Sequence, residues 1–179
     1  MRNLIDSQYN WVGMLTEAVA LMNSGEISKL YKAYKLLKVI LGLPDDGTKD
    51  CRSVKGKAAA KLALIYAAGL DCADGGYEEE ADPCCEVEQD IVKAYDQLLQ
   101  GRRYGSAECE NLLAELYAVI ADYRQASGRC PEGNSVEPAE TARETLEEMV
   151  ENGAISAASD WRSQSVGIVL RERKRHRTS

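Results

Sequence analysis

The sequence predicts an all-α protein: a bundle of five to six helices with a short C-terminal extended arm or strand. Three observations carry this. Apolar residues recur at i, i+3, i+4 and i+7 through most of the first 150 positions, the period of amphipathic helices. Alternating β-branched and aromatic runs are almost missing, and Phe is absent beside nine Tyr and two Trp, which argues against an all-β fold. Hydrophobic residues make up 45% and charged residues 28% of the chain, a globular composition rather than a disordered one. A chain of 179 residues suits one domain with a tail. The pattern divides into a helical bundle over 1–162 and an extended arm with a basic tail over 163–179.

The first helix is expected from about Asn3 to Met22, with Trp11, Leu15, Ala18, Val19 and Met22 on one face and a stop at Asn23, Ser24 and Gly25. The second runs from about Glu26 to Leu41. Ile27, Leu30, Tyr34, Leu37 and Leu41 form its apolar stripe, while Lys29, Lys32, Lys35 and Lys38 fan across the opposite arc. Gly42 and Pro44 end it. The third, from about Val54 to Ala68, is rich in alanine (Ala58, Ala59, Ala60, Ala63, Ala67, Ala68). Small side chains let neighbours approach closely, so it belongs near the middle of the bundle.

An acidic loop follows from Asp71 to Pro83. The fourth helix is expected from about Cys85 to Gln100, presenting Val87, Ile91, Tyr95 and Leu98 and stopping at Gly101. The fifth, Ser106 to Ala126, has Ser106 as N-cap and Cys109, Leu112, Leu113, Leu116, Ile120 and Tyr123 on its stripe. Lying close in sequence, the two should form an antiparallel hairpin. The sixth starts near Ser135 to Pro138, carries Ala142, Leu146, Met149 and Val150, and ends at Gly153. Beyond it, Val166, Gly167, Ile168, Val169 and Leu170 form the one strand-like run, and residues 171–179 are strongly basic.

Counts exclude several kinds of chemistry. The single histidine, His176, stands in the basic tail beside Lys174, Arg175 and Arg177. Nucleophile–imidazole pairs and histidine-bound zinc or di-iron centres need a positioned imidazole, so no catalytic residue is assigned and the chain reads as a non-enzyme. Cys51, Cys72, Cys84, Cys85, Cys109 and Cys130 contain no C-x-x-C pair, so no metal ligand and no cofactor is assigned. Cys109 on an apolar face reads as a small core residue. Gly42 to Lys49, G-L-P-D-D-G-T-K, departs from a phosphate loop: Lys and Thr are exchanged, it follows a helix, and Asp45 and Asp46 repel phosphate. Asp71 to Asp82 lacks side-chain oxygens at the third and fifth places of a calcium loop, Ala73 and Gly75.

The longest uncharged apolar stretch, Leu62 to Leu70, falls short of the ~20 residues that span a bilayer. No apolar segment follows Met1, so no membrane or secretory role is expected. The expected location is the cytoplasm, or a virion assembled there, with reduced thiols.

Charge layout is the most informative feature. Arg171, Arg173, Lys174, Arg175 and Arg177 against Glu172 give the tail +4 within a formal net charge of −7, leaving −11 on the rest. Residues 29–61 hold nine bases and three acids, residues 78–90 seven acids and no base, and residues 137–151 six glutamates and Arg143. Such a bipolar chain can place a basic face of one subunit on an acidic face of the next, a heterologous contact that builds rings or filaments. The apolar run ahead of the tail can add to a partner's sheet edge.

The functional expectation is therefore a structural or adaptor subunit that self-associates into a homo-oligomer within a larger protein assembly. Partner docking falls to Val166, Ile168, Val169, Leu170, Arg171, Arg173, Lys174 and Arg175. The basic face is Lys29, Lys32, Lys35 and Lys38. Ring-forming virion subunits of the head–tail connector kind suit that design by analogy of architecture alone. The alternative is an accessory protein that binds nucleic acid through the lysine-rich helix and basic tail, by charge rather than sequence.

Overall fold

The computed structural model describes residues 10–24, 26–70, 87–128 and 139–154. Among them lie six helices, α1 (Trp11–Asn23), α2 (Ile27–Gly42), α3 (Lys49–Ala68), α4 (Ile91–Arg103), α5 (Ala107–Ala126) and α6 (Ala139–Glu151). The fold is all-α, and each helix exists where the apolar period placed one.

Four boundaries differ from the sequence expectation, each for a local reason. α1 begins at Trp11 rather than near Asn3, because Asn10 leaves helical geometry and its side-chain oxygen accepts the Gly13 amide at 2.9 Å. α3 begins five residues early, at Lys49, where the Thr48 hydroxyl accepts the Cys51 amide at 3.1 Å. Its polar first turn hid it from a reading based on apolar period. α4 begins at Ile91 behind the cap Asp90, whose carboxylate accepts the Lys93 amide at 2.9 Å. It also runs through Gly101 to Arg103 instead of stopping there. Gly101 is a packing residue: a Cβ there would meet the Cys109 sulfur at 2.2 Å and the Ala59 methyl at 3.1 Å. The missing side chain lets α3, α4 and α5 converge.

α3 is the central helix. Ala58, Ala59, Ala60, Ala63 and Ala67 are buried along with Leu62, Leu64 and Ile65. α4 makes the most extensive contact with it, and α2, α5 and α1 also pack on it. The helix ends at Gly69, whose φ of 68° lies in the region that disfavours side chains. Leu70 and Val87 then exchange backbone hydrogen bonds of 2.7 and 2.9 Å as an isolated antiparallel bridge. The Asp90 amide donates to the Tyr66 carbonyl at 2.8 Å, locking the entry to α4.

α1 and α2 pack on one side of this centre. On the other, α5 packs on α3 and α4, and α6 packs on α4 and α5. One apolar core runs through all six, including Leu30, Leu37 and Ile40 of α2, Tyr95 and Leu98 of α4, Leu113, Leu116 and Ile120 of α5, and Leu146 and Met149 of α6. No helix among the described residues is long and apolar enough to cross a membrane.

Candidate interaction surface

α2 buries Leu30, Ala33, Leu37 and Ile40 against its neighbours, which turns the opposite arc to solvent. Lys32, Lys35 and Lys38 are exposed on that arc, and Lys29 is half-exposed. α2 has four lysines and no acid, a charge of +4. Lys29 pairs with Glu26 at 2.8 Å, whereas Lys32, Lys35 and Lys38 have no carboxylate partner among the described residues. Tyrosines support two of the three, Lys35 and Lys38, instead. The Lys35 ammonium stands 4.6 Å from the centre of the Tyr31 ring, and the Lys38 ammonium 5.4 Å from that of Tyr34. Tyr31 stacks on Tyr34 at 5.9 Å, and Tyr34 meets the edge of Tyr66, also at 5.9 Å. Burial, with the Tyr34 phenol beside it, pushes the Tyr66 hydroxyl well above the usual phenol range. Lys35 and Lys38 are held on an aromatic floor, which reduces the side-chain entropy they lose on meeting an anion. The rings are occupied by lysines and by each other, so they leave little open face for stacking a nucleobase.

The opposite charge gathers on α6. Five glutamates and Arg143 give it −4, and Glu144, Glu147 and Glu151 are exposed. Arg143 spans Asp96 of α4 at 2.7 Å and Glu147 at 3.3 Å, and the Asp96 charge leads in holding its guanidinium protonated. α5 adds exposed Glu110, Glu115 and Asp122. α2 and α6 make no substantial contact with each other, since α3, α4 and α5 lie between them. Charge separated along the chain is thus separated across the bundle.

Other members of the basic stretch serve the interior. Lys55 is 2% exposed. Its ammonium donates to the Leu41 carbonyl at 3.4 Å and to the Leu43 carbonyl, and lies 5.8 and 5.7 Å from the rings of Trp11 and Tyr104. A cation at the C-terminal carbonyls of α2 answers both the orphaned acceptors and the helix dipole. Lys61 pairs with Glu108 of α5 at 2.8 Å. On the acidic side, Arg124 is buried, donating through Nε to the Thr145 hydroxyl at 2.9 Å and through Nη2 to the Thr141 carbonyl at 2.9 Å and to the same hydroxyl. It ties α6 to α5. Nothing in the sequence distinguishes Lys55 and Arg124 from surface cations.

The Gly42-to-Lys49 loop turns its own amides inward. Asp45 accepts the Gly47 amide at 2.9 Å, and Asp46 accepts the Thr48 amide at 2.8 Å and its hydroxyl at 2.7 Å. These bonds hold the Asp46 carboxyl below the usual range. Ligating atoms of Asp45, Asp46 and Cys51 lie within 4.8 Å of one another, but the two carboxylates already shape the entry to α3. Burial pushes the Cys51 thiol up, with the Asp46 and Asp45 charges adding to it. Cys109 is buried, bonded to the Gly56 carbonyl at 3.5 Å, and its thiol is likewise pushed up by burial. Both thiols stay protonated and unreactive at neutral pH.

Of the residues singled out from sequence, Lys29, Lys32, Lys35 and Lys38 share one arc of α2. Val166, Ile168, Val169, Leu170, Arg171, Arg173, Lys174 and Arg175 lie outside the described residues, as do the acidic loop and the remaining four cysteines. Comparison with protein-family models, curated proteins and solved structures finds no significant match.

Proposed function

We propose that this protein is a non-enzymatic structural or adaptor subunit that self-associates head to tail, its lysine arc on α2 meeting an acidic surface of the next copy. The placement of a +4 helix and a −4 helix in one bundle with no substantial contact between them carries this reading. A like-charged pole cannot pair with itself, so the contact is heterologous and repeats into rings or filaments. The C-terminal arm, Val166 to Arg175, is a second docking element for the larger assembly. Nucleic acid is the competing ligand for the same lysines; the acidic body and the occupied tyrosine rings weigh against it.

Light scattering coupled to size exclusion, at tens of micromolar protein and at ~50 and ~500 mM salt, tests the reading over a range that screens exposed charges. The expected result is a defined multimer at low salt that falls toward 19.7 kDa at high salt. A monomer at both salts overturns self-association.

A further inference from the structure

We infer that the surface received by the lysine arc is α6 of a second copy, lying parallel to α2 with Lys32 opposite Glu144 and Lys35 opposite Glu147. The inference rests on the self-association proposed above and names its partner surface. Two observations carry it. The first is spacing. On α2 the exposed residues Lys32, Lys35, Lys38 and Val39 fall at i, i+3, i+6 and i+7; on α6 the exposed residues Glu144, Glu147, Val150 and Glu151 fall at the same four intervals, with exposed Arg143 on the same arc and paired to Asp96 and Glu147. At ~100° per residue both sets lie on one face of their helix, and at ~1.5 Å rise per residue both cover ~10.5 Å, so they match turn for turn.

The second is apolar exposure. Among the described residues three large apolar side chains are exposed: Val12 at 62%, Val39 at 50% and Val150 at 39%. Two of the three thus belong to these two charged sets. An apolar contact beside a charged row is the anatomy of a protein interface rather than of a solvated face.

The valines also select the direction. In a parallel pairing, Val39 and Lys38 fall opposite Glu151 and Val150, so each valine has an apolar neighbour within one residue while the charged rows stay opposed. An antiparallel pairing that brings the valines together opposes Lys38 to Glu151 but carries Lys32 past the end of α6. An antiparallel pairing that keeps the rows opposed, Lys35 to Glu147 and Lys38 to Glu144, sets Val150 against Lys32 and Val39 against Arg143. The tyrosine-supported Lys35 and Lys38 lose little freedom on docking, and Arg143 pairs with Asp96 and, on α6, with Glu147 alone, leaving Glu144 and Glu151 without a cation among the described residues.

Two triple variants test the pairing, Lys32→Glu with Lys35→Glu and Lys38→Glu, and Glu144→Lys with Glu147→Lys and Glu151→Lys. All six positions are exposed, so both chains should keep wild-type helicity and melting, and circular dichroism checks this. At ~50 mM salt each variant alone should run as a monomer, because each repels its own kind at the contact. Mixed, they should assemble again at low salt: the native lysine arc of the second variant meets the native α6 of the first, and the glutamate arc of the first meets the lysine-bearing α6 of the second, so each contact once more joins opposite charges. If wild type forms a salt-labile multimer and the α6 variant still forms it, the partner surface is not α6, while self-association stands. If the lysine variant also assembles, the arc is not the contact at all. A wild type monomeric at both salts overturns the inference together with the reading beneath it.

Discussion

α2 and α3 each carry four lysines; those of α2 share one outward arc, whereas those of α3 are divided, Lys49 and Lys57 exposed and Lys55 and Lys61 drawn into the bundle. The four lysines of α2 line a solvent-facing arc, three of them without a carboxylate partner among the described residues. In α3, Lys55 is buried against the Leu41 and Leu43 carbonyls, and Lys61 bridges to Glu108. The +6 stretch over residues 29–61 is therefore not one basic surface. Position on the helix decides each lysine's role: those on the arc opposite Leu30, Leu37 and Ile40 are left outside, and Lys55 falls on the face that α3 turns to the core. Net charge read along a sequence overstates the surface available to a partner, because Lys55 and Lys61 are taken up by partners within the bundle.

Replacing Lys55 breaks this contrast most severely. Lys55→Met keeps the bulk of the stem but strips the donor from two carbonyls at the end of α2. It should cost about 1–3 kcal/mol of stability, the penalty of leaving buried acceptors unsatisfied. Lys35→Ala should change stability by less than about 0.5 kcal/mol, as an exposed substitution. Urea unfolding of the two variants measures the difference; equal losses would erase the distinction between interior and surface lysines.

Alkali should act on the interior side of the comparison. Burial raises the thiols of Cys51 and Cys109 above their usual 9.0, and burial with a neighbouring phenol raises Tyr66 and Tyr95 above 10.0. The folded state keeps these protons after the unfolded chain has released them. Their contribution is whole below about pH 9 and is lost as pH climbs, first through the thiols and then, more steeply above about pH 10, through the phenols. Unfolding free energy measured from pH 7 to 11 should hold level and then decline. A rise above pH 9 would contradict the protonated interior. Lys61→Met should cost only about 0.5 kcal/mol in the same urea measurement, because its partly exposed pair with Glu108 is screened.

Much of the architecture was legible in the sequence because burial imposes a period of 3.6 on any helix that packs. Leu30 and Leu37 inside and Lys32, Lys35 and Lys38 outside follow from that alone, whereas buried Ile40 takes the place expected of Leu41. Ser106 announced the start of α5, its hydroxyl taking the Cys109 amide at 3.3 Å. What stayed hidden depended on tertiary context. Gly101 reads as a helix stop until Cys109 and Ala59 are seen against it. Lys55 and Arg124 read as surface charge until their carbonyl and hydroxyl partners arrive from residues 12 to 21 positions away. The spacing shared by α2 and α6 was present in the sequence. It became meaningful only once both sets were seen to be exposed and without substantial contact with each other.

Zero-length carbodiimide coupling of wild-type protein at ~50 mM salt, a concentration that leaves exposed charge contacts weakly screened, with cross-linked peptides read by mass spectrometry, tests the division of lysines and the proposed contact together. Lys61–Glu108, at 2.8 Å within one chain, should couple in monomer and multimer alike and serves as the internal reference. Lys35–Glu147 and Lys32–Glu144 should couple only between chains, shown by mixing light and isotopically heavy protein, and should vanish at ~500 mM salt while the reference persists. Recovery of Lys61–Glu108 with no interchain link from α2 to α6 would contradict the assembly built on these two helices.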